Sequence, residues 1–383
     1  MASKHKSGIF HRMFIGVNSR YTHFTQFFCR QVVKRREPSS KTPFENESEW
    51  QKRWSGLCGK PNMNYFRYFA PKVANPIDII PGEAVQTIVE PLLNPSATRT
   101  YYLDKNMFDR IYGKNLMPKT VLRRINGVYF DANYNCLGQQ CSRVLEVSDD
   151  CDSLIAKPTR DSYGGRSILL FTKDKYGNWI WNEEPRQLTT ELLVELLGKD
   201  WILQEKLIQH SFFSQFNESS VNTLRVHIYK SPVTGEVDIP SICMRIGAKG
   251  HWYDNLHSGG VYVGVDPESG KLSGTPVDKN GIEFPVYNDI DFSSQEFIVP
   301  KFSELKEFAK KLSKCVPHHH SLACDISIDK DSNFRIIEIN IGTFDAEMYM
   351  MHGQLPYGRH SKEILDYCLE HKDEIQMVHT IPW

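Results

Sequence analysis

Asp325, Glu338 and Asn340 lie in two apolar runs near the end of the chain, Ala-Cys-Asp-Ile-Ser-Ile and Arg-Ile-Ile-Glu-Ile-Asn. Residues i and i+2 of a strand share a face, so Glu338 and Asn340 point the same way. The turn-prone link from Asp329 to Asn333 lets the two runs pair as a hairpin, and that pairing can bring Asp325 onto the same face. Three hard oxygen donors on an otherwise apolar sheet suit magnesium, which keeps its remaining positions for water and phosphate oxygens. Buried acids without a partner cost several kcal/mol in desolvation, so something positive must compensate them: a metal, or nearby arginines.

A second run, Leu154-Ile-Ala-Lys157, ends an apolar strand on a lysine and enters a polar loop that carries Gly164 and Gly165. Such a loop can turn backbone N–H groups toward phosphate oxygens while the lysine supplies charge, or it can be a plain hairpin turn. It is not a Walker loop, because Gly-x-x-x-x-Gly-Lys-Ser/Thr occurs nowhere. A third set comprises Arg225 and Arg245, each inside a strand-like apolar run, and the segment Asp254-Asn-Leu-His-Ser-Gly259-Gly260. An arginine in such a run needs an anion, and its fork matches phosphate or carboxylate. That anion is either Asp325 or Glu338, or a bound triphosphate or acyl phosphate.

The elements that must position these residues read as many strands with few helices between them. Strands are expected over Leu154–Lys157, Ile168–Phe171, Trp201–Gln204, Thr223–Tyr229, Ser241–Ile246, Gly260–Val265, Ala323–Ile328 and Phe334–Ile339. Helices are expected over Lys105–Tyr112, Thr189–Leu197 and Phe302–Cys315. Hairpin turns fall at Lys175–Asn178 and Pro232–Gly235. The pattern indicates an α+β fold with antiparallel sheets.

With 46 Lys+Arg against 46 Asp+Glu in 383 residues, the charge balance gives no reason to expect a nucleic-acid partner. No apolar run approaches the roughly 20 residues of a spanning helix, and no secretory signal pattern is present. Nine cysteines without a Cys-x-x-Cys pair argue against a disulfide framework or structural zinc and fit a reducing cytosol. His318, His319 and His320 follow Pro317 and read as an exposed turn, not a metal site.

Residues 1–36 carry eight Lys/Arg and no Asp or Glu. Within them Phe10, Phe14, Val17, Tyr21, Phe24 and Phe28 recur at helical spacing and form one apolar stripe. A basic amphipathic helix of this kind can lie on an anionic membrane, or its stripe can dock on the protein's own core; an Arg-rich, acid-free leader is also the composition of an organellar transit segment. A polar linker over 38–48 precedes a tryptophan-bearing helix around Trp50–Trp54, and prolines at 71, 76, 81, 91 and 95 suggest short elements wrapped on a neighbour.

In their order along the chain, these parts resemble the ATP-grasp superfamily. Asp104-Lys105-Asn106 resembles the opening that carries the first phosphate lysine. Lys157 with Gly164 and Gly165 resembles the second lysine and its lid loop. Trp201-Ile-Leu-Gln204-Glu205-Lys206-Leu207 resembles the hinge whose backbone reads adenine. The fuller pattern, Ser220-Val-Asn222-Thr-Leu-Arg225 followed by Asp254-Asn255-Leu-His257-Ser-Gly-Gly, is similar to the sugar-transfer-associated group of surface-polysaccharide clusters. The resemblance covers residues from about 99 to 345. It implies an ATP-grasp fold with a nucleotide cleft between two mostly antiparallel lobes and an extra N-terminal region. The units would be 1–98, the N-terminal region; 99–150, a linking subdomain with the first lysine; 151–208, the lid subdomain; and 209–383, the subdomain with the metal site.

The resemblance further implies ATP held by Lys105, Lys157, Gly164, Gly165, the hinge residues and Asn222. Magnesium would be held by Asp325, Glu338 and Asn340. Arg225, Arg245, Asp254, Asn255 and His257 would serve the reaction. The implied activity is that of a cytoplasmic ligase joining a carboxylate to an amine through an acyl phosphate, on a carboxylated sugar of a bacterial surface polysaccharide. A phosphotransferase and a nucleotide-bound scaffold of a glycan-assembly complex are the alternatives.

Overall fold

A computed structural model describes residues 9–38, 40–141, 147–160, 168–342 and 344–376. Two antiparallel sheets carry the fold. The first has seven strands in the order Cys136–Gly138, Val128–Phe130, Thr120–Ile125, Trp201–Glu205, Ser153–Pro158, Leu169–Lys173 and Trp179–Trp181. The Trp201–Glu205 strand pairs with Thr120–Ile125 on one side and Ser153–Pro158 on the other. The expected division at 150/151 therefore runs through a single sheet.

The Thr120–Ile125 strand carries no strand signal in the sequence because two arginines interrupt its apolar run. Arg123 is nevertheless fully buried. Its guanidinium bonds the Asn106 carbonyl at 3.0 Å, pairs with Asp109 and lies 4.2 Å from the Tyr134 ring centre. Helix Thr190–Leu197 closes one face of this sheet with Leu192 and Leu193. It starts where the Thr189 hydroxyl accepts the Leu192 N–H at 3.1 Å and stops at Gly198, whose φ of 75° suits glycine.

The second sheet has six strands: Leu272–Val277, Val261–Val265, Val237–Ile246, Thr223–Lys230, Ser321–Ile328 and Phe334–Asn340. Strict alternation divides its faces. Leu224, Val226, Ile228, Ile242, Met244 and Ile326 share a core with Leu305, Ala309 and Leu312 of helix Phe302–Lys314. On the opposite face, Tyr229, Cys243, Tyr262 and Ala323 join a separate core built with the N-terminal region and the last helices. Arg225, Arg245, Asp325 and Glu338 occupy the remainder of that face.

The N-terminal region covers this face with short elements, as its prolines suggest. Trp50 and Trp54 of helix Glu47–Cys58 are fully buried and donate their indole N–H groups to the Ile79 and Ile77 carbonyls at 2.7 and 3.1 Å. They pack with Phe66 and with Tyr349, Ile364 and Cys368 from the far end of the chain. Residues 50–93 thus share a core with residues 344–368.

One expectation is corrected. His319 is buried, not part of an exposed turn: its Nε2 lies 3.2 Å from the Thr98 hydroxyl, and burial pushes its imidazole down to about 3. Helix Ile9–Arg36 docks through Thr22, Gln26 and Val33, whereas Val17, Tyr21, Phe24 and Phe28 of the apolar stripe face solvent. From Val17 onward the stripe therefore does not pack on the protein's own core.

Because Trp50 ties the N-terminal helices to the carbonyl of Ile79, Trp50→Ala is expected to cost about 3–5 kcal/mol of stability. Chemical denaturation measures this; a loss below about 1 kcal/mol would contradict the shared core.

Candidate functional site

Register brings the charged residues together. On adjoining strands Arg225 stands opposite Asp325, Asp325 opposite Glu338, and Ala323 opposite Asn340. Directly opposed residues of antiparallel strands share a face, so Asp325, Glu338 and Asn340 do project to one side. A register irregularity follows Asp325.

Asp325 is buried and accepts three charge-assisted bonds: from Arg225 Nε to Oδ1 at 2.8 Å, from Arg225 Nη2 to Oδ2 at 2.8 Å and from Arg245 Nη1 to Oδ2 at 3.0 Å. Burial pushes the Asp325 carboxyl up, but the charges of Arg225 and Arg245 outweigh it and hold the group below the usual carboxylate range. Arg225 also reaches Asp345 at 2.9 Å, and Arg245 reaches Asp254 at 3.3 Å. The Thr223 hydroxyl donates to Asp254, whose carboxyl burial pushes up. Among the described residues no set of three His, Cys, Asp or Glu side chains is gathered to hold a metal. The expected trio combines two carboxylates with an asparagine and is not a set of that kind; of its members, Asp325 is engaged by two arginines. Asp325 is here the anion of an arginine clamp, because two buried guanidiniums cannot be left uncompensated. Glu338 and Asn340, on one strand face and only partly buried, still fit a magnesium ion.

Glu338 faces the other sheet. Its Oε1 lies 3.0 Å from Nζ of Lys105. Lys105 opens a short 3-10 turn in which the Asp104 carboxylate accepts the Asn106 N–H, and its own N–H donates to the Thr159 carbonyl at 3.0 Å. That bond ties it beside the segment following Lys157. Lys157 is buried; burial, then the charge of Lys105, lowers its ammonium to about 8, with Glu338 acting in the opposite sense. Two buried lysines from the first lobe thus converge on a carboxylate of the second.

The remaining expected residues divide. The N–H groups of Glu205 and Lys206 bond the Lys119 and Ser153 carbonyls at 2.8 and 2.9 Å, so these donors are already used. The Gln204 amide donates to the Pro118 carbonyl, the Glu205 carboxylate accepts Lys119 Nζ at 2.9 Å, and Lys206 Nζ donates to the Ser219 carbonyl. Leu207 is half-buried at the crossing between the sheets. Asn222, expected at the cofactor, is engaged inside the fold. Its amide donates to the Phe213 and Asn217 carbonyls and accepts from Ser220 and the Gly247 N–H, which fills its capacity. Asn255 Oδ1 caps the His257 N–H at 2.9 Å in a turn ended by Gly259 at φ 88°, and His257 is exposed beside Lys279. Asp254 of that segment turns into the charged cluster. Gly164 and Gly165 lie outside the described residues.

Sequence reasoning missed Asp345, which meets Arg225 from a backbone φ of 54°. No local pattern could have marked it, because it follows the last strand in an irregular turn. It also missed Gly342, at φ 122°, where an added Cβ would lie 2.6 Å from the Arg99 guanidinium.

Two antiparallel sheets, with Lys157 on a strand of one and Lys105 in the turn beside it meeting Glu338 on a strand of the other, fit an ATP-grasp fold. A family model described as sugar-transfer associated ATP-grasp matches residues 87–360, and the chain belongs to that family. No curated protein matches it. Similar solved structures include an L-amino acid ligase from Bacillus licheniformis, at 15% identity and TM-score 0.33 over 65% of this chain and 46% of that one. The chain thus spans about half the length of that ligase. D-alanyl-alanine synthetase A from Vibrio cholerae is 12% identical at TM-score 0.36 over 73% and 67% of the two chains. The D-Ala:D-Ser ligase VanG from Enterococcus faecalis is 11% identical at TM-score 0.38 over 70% and 61%.

Lys157 gives the first test. Its folded pKa of about 8 lies below the ordinary 10.5, so its destabilising cost is full below pH 8 and fades toward pH 10.5. Lys157→Met is expected to raise stability at neutral pH by about 1–3 kcal/mol, the gain vanishing above the ordinary lysine pKa. Denaturant melts at neutral and alkaline pH check it; a less stable variant at neutral pH contradicts it. Asp325→Asn, measured without nucleotide or metal, is expected to cost about 3–5 kcal/mol, because it strands two buried guanidiniums. A residue whose only task was to hold a metal would leave that stability unchanged.

Proposed function

We propose that this chain is an ATP- and magnesium-dependent ligase that joins a carboxylate to an amine through an acyl phosphate. The observation that carries the reading is the convergence of Lys105 and Lys157 on Glu338 across the cleft. The two ammonium groups are buried close enough together that the charge of Lys105 lowers the Lys157 pKa. A polyanion entering between them relieves their repulsion and raises the Lys157 pKa again, which is what a nucleotide phosphate chain does.

In this reading Lys105 and Lys157 bind phosphate oxygens. Glu338 and Asn340 are the residues that would hold magnesium, which supplies neutralising charge on the phosphates when bound. The Arg225–Asp325–Arg245 clamp fixes two guanidiniums in the floor of the cleft. Among the described residues Arg225 Nη1 is held by Asp345, whose side chain is 60% exposed, so an incoming substrate carboxylate or acyl phosphate can replace Asp345 there. A substrate carboxylate oxygen attacks the γ-phosphorus and ADP leaves. The amine nitrogen then attacks the acyl carbon, phosphate leaves, and the nitrogen loses one proton. Charge that builds on the transferred phosphoryl and on the acyl oxygen falls beside positioned cations, and no enzyme nucleophile is needed.

A carboxylated sugar of a surface polysaccharide is the proposed carboxylate, supported by the family's sugar-transfer association alone. The cytoplasmic face is the proposed place, since it supplies ATP.

The purified protein is expected to release ADP from ATP only with both a uronic acid and an amine present. Hydroxylamine in place of the amine is expected to trap a hydroxamate. Lys157→Met and Glu338→Gln are each expected to lower kcat/KM by at least about 100-fold. A stable phosphorylated product formed without any amine would instead establish a phosphotransferase. Stabilisation by ATP without turnover would establish a scaffold.

A further inference from the structure

Helix Ile9–Arg36 is built the wrong way round for a helix that merely packs on its own protein. Its docked line consists of Thr22, Gln26 and Val33, with the Gln26 amide donating to the Thr87 carbonyl at 2.9 Å. Its apolar line is Val17, Tyr21, Phe24, Phe28 and Val32, and these are 44–63% exposed. At 3.6 residues per turn, Gln26 lies about 200° around the axis from both Phe24 and Phe28. The two lines therefore stand on opposite sides. Phe24 and Phe28 contact each other with ring centres 4.7 Å apart, which makes the outward line a continuous aromatic ridge.

Charge says what covers it. Residues 1–36 hold eight Lys/Arg and no acid, while the whole chain is neutral, so the rest of the protein carries an acidic excess of eight. Arg20, Lys34 and Arg35 are exposed on the same helix as the ridge. A second copy would bring two such basic helices together, and like charges oppose that contact. An anionic bilayer accepts both features at once: the rings enter the headgroup–acyl boundary and the basic side chains meet lipid phosphates. No helix among the described residues is long and apolar enough to cross a membrane. We infer that the Val17–Val32 face of this helix lies flat in the surface of an anionic membrane and anchors the protein there.

The test is co-flotation of the full-length protein with vesicles. It is expected to bind phosphatidylglycerol-rich vesicles, to bind pure phosphatidylcholine vesicles at least about tenfold less, and to be released by raised salt. Phe24→Ser/Phe28→Ser, both exposed in the fold, is expected to lower partitioning at least about tenfold with an unchanged thermal unfolding midpoint. Binding of the double variant equal to the parent protein, or no vesicle binding at all, would overturn the inference. So would conversion of a dimer to a monomer by the same substitutions in sedimentation, since a second copy would then be the occupant of the ridge. ATP turnover in solution is independent of this face, so loss of vesicle binding leaves the ligase reading untouched.

Discussion

The cleft depends on the register of three adjacent antiparallel strands. Thr223–Lys230, Ser321–Ile328 and Phe334–Asn340 align so that Arg225, Asp325 and Glu338 form one row across the sheet. A slip of one residue in the middle strand would carry Asp325 into the apolar core under helix Phe302–Lys314 and present Cys324 or Ile326 to the arginines. The alternation of Leu224, Val226 and Ile228 with Arg225, His227 and Tyr229 forbids that slip, because each strand has only one face fit for the core. The hydrophobic pattern that folds the sheet therefore also sets the order of its charges.

Those charges are compensated unequally. The two arginines are matched by Asp325, Asp254 and Asp345, so the floor of the cleft is stable by itself. The lysines are not matched to the same degree. Lys105 has Glu338, while Lys157 is held buried with a lowered pKa beside another cation. A folded protein that retains such a group retains it against its own stability, and perturbed groups of this kind concentrate at sites of function. This inequality separates the frame of the site from the part that awaits a phosphate.

Much of this was legible in the sequence, and the part that was not has physical causes. The eight expected strands all occur, as do helices at Thr190–Leu197 and Phe302–Lys314, because each has a clean period and a marked end. The hairpin that pairs Asp325 with Glu338 was readable from its turn residues. Strand Thr120–Ile125 was hidden by Arg123 and Arg124, whose partners come from distant loops. The alternative partner named for Arg225 and Arg245, Asp325 itself, is the one the fold selects, and only the cross-strand pairing could decide it. Asn222 carried a family pattern, yet its four amide bonds all turn inward. The apolar stripe of residues 10–28 was visible as a stripe; its direction was not, since periodicity gives a face without saying what it faces.

The N-terminal region packs beside the site. Its tryptophan helix and the Ala346–Met350 helix share one core on the sheet face that also carries the charged row. The central claim is that ATP sits between the two sheets, against Lys157 and Glu338. Hydrogen exchange of the protein with and without ATP and magnesium tests it most directly. The account expects protection to concentrate in Ser153–Pro158, Trp201–Glu205 and Phe334–Asn340. Protection confined to other segments, or none at saturating nucleotide, would contradict it.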